Sequence, residues 1–390
     1  MQRTDNAIRG FTLTELMISM AVGLVVMGGA VMLTSQAANV NWVTSQKAEM
    51  QQDFRAAANL LQRDISMAGA GSPGQAGLGN NSIGLPVNGT IPVYPCSTTT
   101  CNYINGAPVA YPLNAGVYYL YSIIPGPNFG ITVNGQQSDI ITLSYTDPSL
   151  SLICFTPVYV SATQFTFTQP ATNSLNCDTA LQMTTNGTTP QNLFGSSTNP
   201  VGLQQGDIVL FTTKSGAAVL GAVSSVAGPS TNASGLTYYT VNFASGDPGH
   251  INQPSIATGS LASLSGAAAG TITAVRQMII TYYLDISPMD GVTPRLMRIQ
   301  NGKTPVPVTE NVAYLKFNYD VDTGGTYYAN QSPLPAGTTP NMITRVSIAH
   351  MVMRNQLKGV PGYQGLDLQT SISPRNLTFG QEYPGAAPSN

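Results

Sequence analysis

The sequence predicts an α+β protein: one long N-terminal α-helix, membrane-apolar at first and amphipathic afterwards, packed on an antiparallel β-sheet with large β and loop insertions. Three observations predict it. Residues 11–33 form an apolar run whose only formal charge is Glu15. Beyond that run Val43, Met50, Phe54, Ala57, Leu61, Ile65 and Ala68 recur at helical spacing, the stripe of an amphipathic helix. From about residue 75 onward, short segments rich in β-branched and aromatic residues are separated by Gly, Pro and Asn clusters, the pattern of strands and turns.

The first element has the length of a membrane span. At about 1.5 Å per residue, a helix over 11–33 covers roughly 35 Å, enough to cross a bilayer core. Arg3 and Arg9 precede it and no Lys or Arg follows until Lys47, so the positive-inside rule keeps the N-terminus cytoplasmic and exports the rest. The alternative is a secretory signal peptide, cut after the small-residue site Ser35, Gln36, Ala37 to leave Ala38 first. Glu15 argues against that alternative, because a carboxylate in an apolar span is costly to bury and is usually matched by a partner. In the second half Lys47, Glu49, Asp53, Arg55, Arg63 and Asp64 fall mostly on faces other than the apolar stripe. The helix is expected to run to about Ala68, where Gly69, Gly71 and Pro73 end it. The G-x-G-x-x-G spelled by residues 69–74 is no dinucleotide fingerprint, since it follows a helix and contains Pro73.

Strands are expected over 116–124, 139–145, 164–168, 207–212, 236–243, 278–284, 312–319 and 343–353. The stretches 71–115, 183–205 and 245–270 lack strand signals and are read as long loops. Composition agrees with an exported, turn-rich chain: charged residues make up 8% against roughly 25% in ordinary globular proteins, and Gly (39) and Pro (27) are abundant. Eighteen Tyr, 11 Phe and 42% hydrophobic residues make it too apolar to stay unfolded throughout. A net charge of -2 gives no footprint for nucleic acid, and none is expected as a partner.

Few residues offer chemistry. Asp320, Asp322 and Gly325 echo the start of a calcium loop, but Gly324 and Gln331 stand where two ligands belong, so a turn between strands is the better reading. His250 and His350 have no ligand-like spacing to any cysteine and are read as ordinary surface or strand residues. Nucleophile elbows, His-Glu-x-x-His and Walker loops do not occur. The expectation is a protein that is not an enzyme, with no catalytic residue, metal or cofactor.

The stretch Gly10-Phe11-Thr12-Leu13-Thr14-Glu15-Leu16 resembles the class III leader of type IV pilins and of the pseudopilins of type II secretion. Thr14 stands where that family usually carries Ile or Val. The resemblance implies that a prepilin peptidase cuts after Gly10 and methylates the new N-terminal Phe11, and that Glu15 is the assembly acid. It divides the chain into a leader (1–10), a transmembrane and assembly helix (11–33), the amphipathic second half (34–70) and a β-rich periplasmic or extracellular domain (71–390). The segments LQRDISMAGA, SDIITLSY, QQGDIVLFT, PRLMRIQNGK, TENVAYLKFNYDVD and ISPRNL are similar, in order, to the large PilW-type minor pilins, which are related to J-type pseudopilins. The partners so implied are major and other minor pilins, the prepilin peptidase, the inner-membrane assembly machinery and the membrane. The protein would sit in the inner membrane before joining a surface fibre, to whose assembly and priming it would contribute near the tip; the alternatives are a J-like pseudopilin of type II secretion, or a tip adhesin or DNA-uptake minor pilin.

Export places Cys96, Cys101, Cys154 and Cys177 in an oxidising compartment. Four cysteines allow three pairings. Joining near neighbours, 96 with 101 and 154 with 177, is preferred, and no Cys-x-x-Cys supports a zinc site.

Overall fold

A computed structural model of the chain describes residues 12–71, 82–86, 118–147, 150, 152, 155–168, 202–247, 249–268, 270–355 and 364–374. Its only α-helix among them, α1 (Leu13–Met67), contains no proline and is rich in Ala, Leu, Met and Gln, residues that lose little rotamer freedom in a helix. It ends where Gly69 and Gly71 take positive φ of 79° and 66°, a conformation open to residues without a Cβ.

The strands follow in chain order as β1 (Ser82–Leu85), β2 (Tyr118–Tyr121), β3 (Ile123–Gly126), β4 (Thr132–Val133), β5 (Gln136–Gln137) and β6 (Ile140–Thr146). Then come β7 (Thr156–Ser161), β8 (Gln164–Thr168), β9 (Ile208–Thr213), β10 (Ala218–Ala222), β11 (Ser225–Thr231) and β12 (Thr237–Asn242). The last are β13 (Ile272–Ile286), β14 (Pro294–Gln300), β15 (Val306–Glu310), β16 (Val312–Asp322), β17 (Tyr327–Gln331), β18 (Ile343–Asn355) and β19 (Gln364–Ile372).

The described strand pairs are antiparallel, and β13 is the hub. Gln277 on β13 pairs with Ile208 on one side and Thr146 on the other, so β9 and β6 flank it. Residues 280–286 pair with β14, continuing the β9 side. The seven-stranded sheet is completed by β10 on β9, β15 on β14 and β3 on β6. Two four-stranded sheets have the orders β11-β12-β8-β7 and β17-β16-β18-β19.

Strand β9 explains its own sequence. Val209 and Phe211 enter one buried cluster, while Ile208 and Leu210 enter another. Both faces are covered, so IVLF runs apolar without alternation. In the first cluster Phe165 stacks on Phe211 at 4.3 Å between centroids and meets Phe243 edge-on at 6.0 Å, the geometries that ring quadrupoles favour.

The α+β expectation holds, with local corrections. The segment 116–124 is not one strand: a break at Ser122 separates β2, which pairs with β1, from β3, which pairs with β6. Part of the predicted loop 71–115 is β1, whose Ile83 and Leu85 are buried. The stretch 245–270 does lack strands among its described residues, and holds a 3-10 turn over Leu261–Leu264. The strand expected at 278–284 extends to 272–286. By internal contacts the chain divides between Arg55 and Ala56: the helix up to Arg55 groups with residues 354–355 and 364–365 among those described, and the remainder forms the second unit.

Candidate functional site: the two ends of the long helix

The leading part of α1 is apolar and uncovered. Leu13, Leu16, Met17, Ile18, Met20, Leu24 and the other large side chains through Leu33 are more than half exposed, and the helix is long and apolar enough to cross a membrane. Its polar groups are satisfied within the helix. The Ser19 hydroxyl donates to the Leu16 carbonyl (2.9 Å) and Thr34 to that of Ala30 (2.8 Å), which removes the cost of carrying hydroxyls into lipid. A Cβ built on Gly23, Gly28 or Gly29 meets nothing within 4 Å, so nothing described in this chain requires glycine there.

Glu15 does local work that the sequence reading missed. Thr12 is the residue just before the helix. Its backbone N–H donates to Glu15 Oε2 (3.0 Å), as does its hydroxyl (2.8 Å), and the Glu15 N–H donates to Thr12 Oγ1 (3.3 Å). This is a capping box, Thr-x-x-Glu, satisfying orphan donors of the first turn reciprocally. The signal was legible in Thr12-Leu13-Thr14-Glu15. Gly10 and Phe11, the expected processing residues, lie outside the described residues, as do Cys96, Cys101, Cys154 and Cys177.

The trailing end is locked. Ala57, Ala58, Leu61, Ile65 and Ala68 are buried. Asp64, expected on a polar face, is buried with them: it lies three residues after Leu61 and four before Ala68, on the stripe itself. Its carboxylate accepts from the Tyr282 hydroxyl (2.7 Å), Arg298 Nε (2.9 Å) and the Tyr145 hydroxyl (3.1 Å). A buried charge persists only when paired and hydrogen-bonded, and β6, β13 and β14 each supply one donor. Burial, reinforced by the Asp64 charge, pushes both tyrosine pKa values up. Burial alone would lower that of Arg298, but the charges of Asp64 and Tyr282 outweigh it and the net shift is upward. Past the helix, Gly69 N–H donates to the Ser144 carbonyl (2.9 Å) and Thr146 N–H to that of Ala70 (2.8 Å). A Cβ on Gly71 would come 2.0 Å from Thr146 Oγ1, so the chain passes β6 where only glycine fits.

Other candidate groups are spent on structure. Asp320 accepts from Asn330 N–H (2.8 Å), the Tyr327 hydroxyl (2.5 Å) and Arg345 Nε (2.5 Å); burial alone would raise its pKa, and these bonds bring it below the ordinary value. Asp322 accepts from Gly324 N–H (2.8 Å) in the turn between β16 and β17, so the two acids do not converge on a common point. His350 Nδ1 lies 3.0 Å from Asp367 Oδ2 on the neighbouring strand. Arg276 joins Asp147 and Asp207, and Lys303 also reaches Asp207, tying the turn before β9 to β13. Among the described residues no three His, Cys, Asp or Glu side chains are grouped to hold a metal ion.

No curated protein and no solved structure matches the chain. Residues 5–31 match the family model of the prokaryotic N-terminal methylation motif, the leader type of type IV pilins, and this motif indicates a pilin- or pseudopilin-like protein.

Proposed function

We propose that the chain is a minor subunit of a type IV pilus, processed by a prepilin peptidase, held in the inner membrane by residues 11–33 and then drawn into the fibre near its tip. One observation carries the reading: the segment bearing the methylation motif opens a helix whose apolar lead is exposed, while its trailing end is locked by buried polar bonds. Such a helix can move from lipid into a bundle of like helices and take its globular domain with it. The length of 390 residues favours a pilus subunit over a J-type pseudopilin, a family whose members are generally much shorter. PilW-type identity, partner pilins and a surface-fibre location belong to this same proposal.

Cleavage after Gly10 hydrolyses one peptide bond and frees the amine of Phe11, which in its neutral form takes a methyl group from an electrophilic methyl donor bound by the peptidase and is then protonated to a cation. In a bundle with little water that amine needs an anion. The Glu15 carboxylate of a neighbour supplies it, having acceptor capacity left after capping its own helix. Mass spectrometry is expected to find N-methylated Phe11 as the first residue; a chain beginning at Ala38 overturns the assignment.

The deciding test compares Glu15→Gln with Glu15→Leu in a deletion strain, after immunoblots confirm cleavage and membrane level. Gln retains the capping box but not the charge. Both variants are expected to be cut and membrane-held, with recovery in sheared fibres lowered for Gln and lower still for Leu. Wild-type recovery of Glu15→Gln would reduce Glu15 to a helix cap. Loss of protein secretion with normal pili in the deletion strain would assign the chain to a type II secretion system. Export favours disulfides, and nearness in sequence favours the pairings 96 with 101 and 154 with 177, which non-reducing peptide mapping tests directly.

A further inference from the structure

The uncovered part of α1 does not stop at Leu33, where its unbroken apolar run stops. Val40 and Trp42 are 64% and 57% exposed, whereas Val43 and Gln46 are half-buried and Met50 and Phe54 are buried. Cover by the rest of the chain therefore begins just past Trp42. Charge keeps to similar limits: between Glu15 and Lys47 there is no Asp, Glu, Lys, Arg or His. Residues 34–42 are thus neither packed nor charged, although a helix face turned to water normally carries charge. Within them lies the one tryptophan of the chain.

Spacing gives these residues a place. From Glu15 to Trp42 is 42 − 15 = 27 residues. At about 1.5 Å each that is about 40 Å of helix, which matches the roughly 40–45 Å of a bilayer with both headgroup layers. With Glu15 at the inner surface and a tilt of about 20°, the hydrocarbon holds roughly residues 16–37 and the outer headgroup layer roughly residues 38–42. The polar side chains suit this depth. The Thr34 and Thr44 hydroxyls donate to the Ala30 and Val40 carbonyls (2.8 Å each), and the amides of Asn39 and Asn41 fall where headgroups can bond them. Tryptophan suits the same layer, because its ring is apolar while its indole N–H needs an acceptor. A neighbouring helix suits it less, since membrane helices approach one another closely through small residues.

We propose that α1 is framed in the membrane by Glu15 and Trp42, and that Trp42 is a lipid anchor seated among the phospholipid headgroups of the outer leaflet. Lipid contact then extends about two and a half turns beyond Leu33. This rests on the reading that the helix spans the membrane.

The test is the fluorescence of the full-length chain reconstituted in vesicles of phosphatidylcholine and phosphatidylglycerol, where Trp42 is the sole tryptophan emitter. Flotation of the vesicles first shows whether the chain is inserted. Quenchers are then placed on the lipid headgroup, high on the acyl chain or at its end, and iodide in the water. The expected result is quenching strongest from the headgroup and upper-chain positions and several-fold weaker from the chain end, with iodide several-fold less effective than in urea. In a Trp42→Phe background, Leu24→Trp should be quenched best from the chain end and Ala48→Trp best by iodide. Iodide quenching of Trp42 as strong as that of Ala48→Trp, or a maximum from the chain end, overturns the anchor and leaves the span. Exclusion of iodide without lipid quenching means that another helix covers Trp42, and overturns lipid as its partner. A chain that does not float overturns the membrane reading together with the proposal.

Discussion

Leu24 and Leu61 lie on the same helix, yet Leu24 is 72% exposed and Leu61 is fully buried. Around Leu61 the helix presents Ala57, Ala58 and Ala68, small enough to bring its backbone close to a packed surface, and Asp64 locks that end through Tyr145, Tyr282 and Arg298. Around Leu24 there are valines, methionines and three glycines with open space, and no described side chain covers them. An apolar surface of that extent is not stable in water. The comparison teaches that one helix can divide its apolar residues between two surroundings: the tail is stabilised by its own chain, while the lead has the length and composition to cross a membrane.

The comparison breaks hardest at Asp64. In Asp64→Ala the Arg298 guanidinium and two tyrosine hydroxyls lose their buried acceptor, and breaking one side of a buried pair costs about 3–5 kcal/mol. Urea unfolding of the detergent-solubilised protein, followed by the single tryptophan or by circular dichroism, should show it. A loss below about 1 kcal/mol would mean the pair is only decorative.

Next in size is the matched truncation Leu61→Ala, expected to cost about 2–5 kcal/mol through lost burial and the cavity left behind. An unchanged denaturation midpoint would show that this part of the helix is not packed as described.

Alkali should loosen the same lock. Tyr145 and Tyr282 have native pKa values raised above the ordinary 10.0 by burial and by the Asp64 charge. The native state therefore keeps phenol protons that the unfolded chain releases above pH 10, so their contribution is complete below pH 10 and falls as pH rises further. Tyr282→Phe should flatten the alkaline slope of stability; an unaltered slope would place the titration elsewhere.

The smallest effect on stability sharpens the contrast most. Leu24→Ala makes the same chemical change as Leu61→Ala but should alter the unfolding free energy by no more than about 0.5 kcal/mol, as surface changes do. Its effect is expected in recovery from sheared fibres instead. A large destabilisation would imply that the lead is covered by its own chain.

Much of this was legible beforehand because it is local. The helix from residue 13 to 67 followed from spacing and from the glycines that stop it, and its apolar lead from composition. The strand 164–168 was legible because Gln164, Phe165, Thr166, Phe167 and Thr168 alternate with one face covered. Strands β10 and β11 are not legible in this way, since Ala218–Ala222 is buried throughout and Ser225–Thr231 is mostly polar and exposed, leaving little alternation to see. The capping box is also local, its four residues being contiguous, and it gives Glu15 a role inside its own helix besides that of an ion awaiting a partner.

The sequence by itself determined the helix, its division into an apolar lead and a striped tail, the methylation motif and the α+β class, because each depends on residues within a few positions of one another. Only the tertiary structure decided that Asp64 is a buried ion and not a solvated one. Its partner Arg298 is 234 positions away, and its other two partners lie on different strands. Tertiary structure also made β13 the hub and put β19 last in its sheet among the described strands. No local pattern encodes which strand will lie beside another, for that choice is made by the side chains that two distant segments bury together.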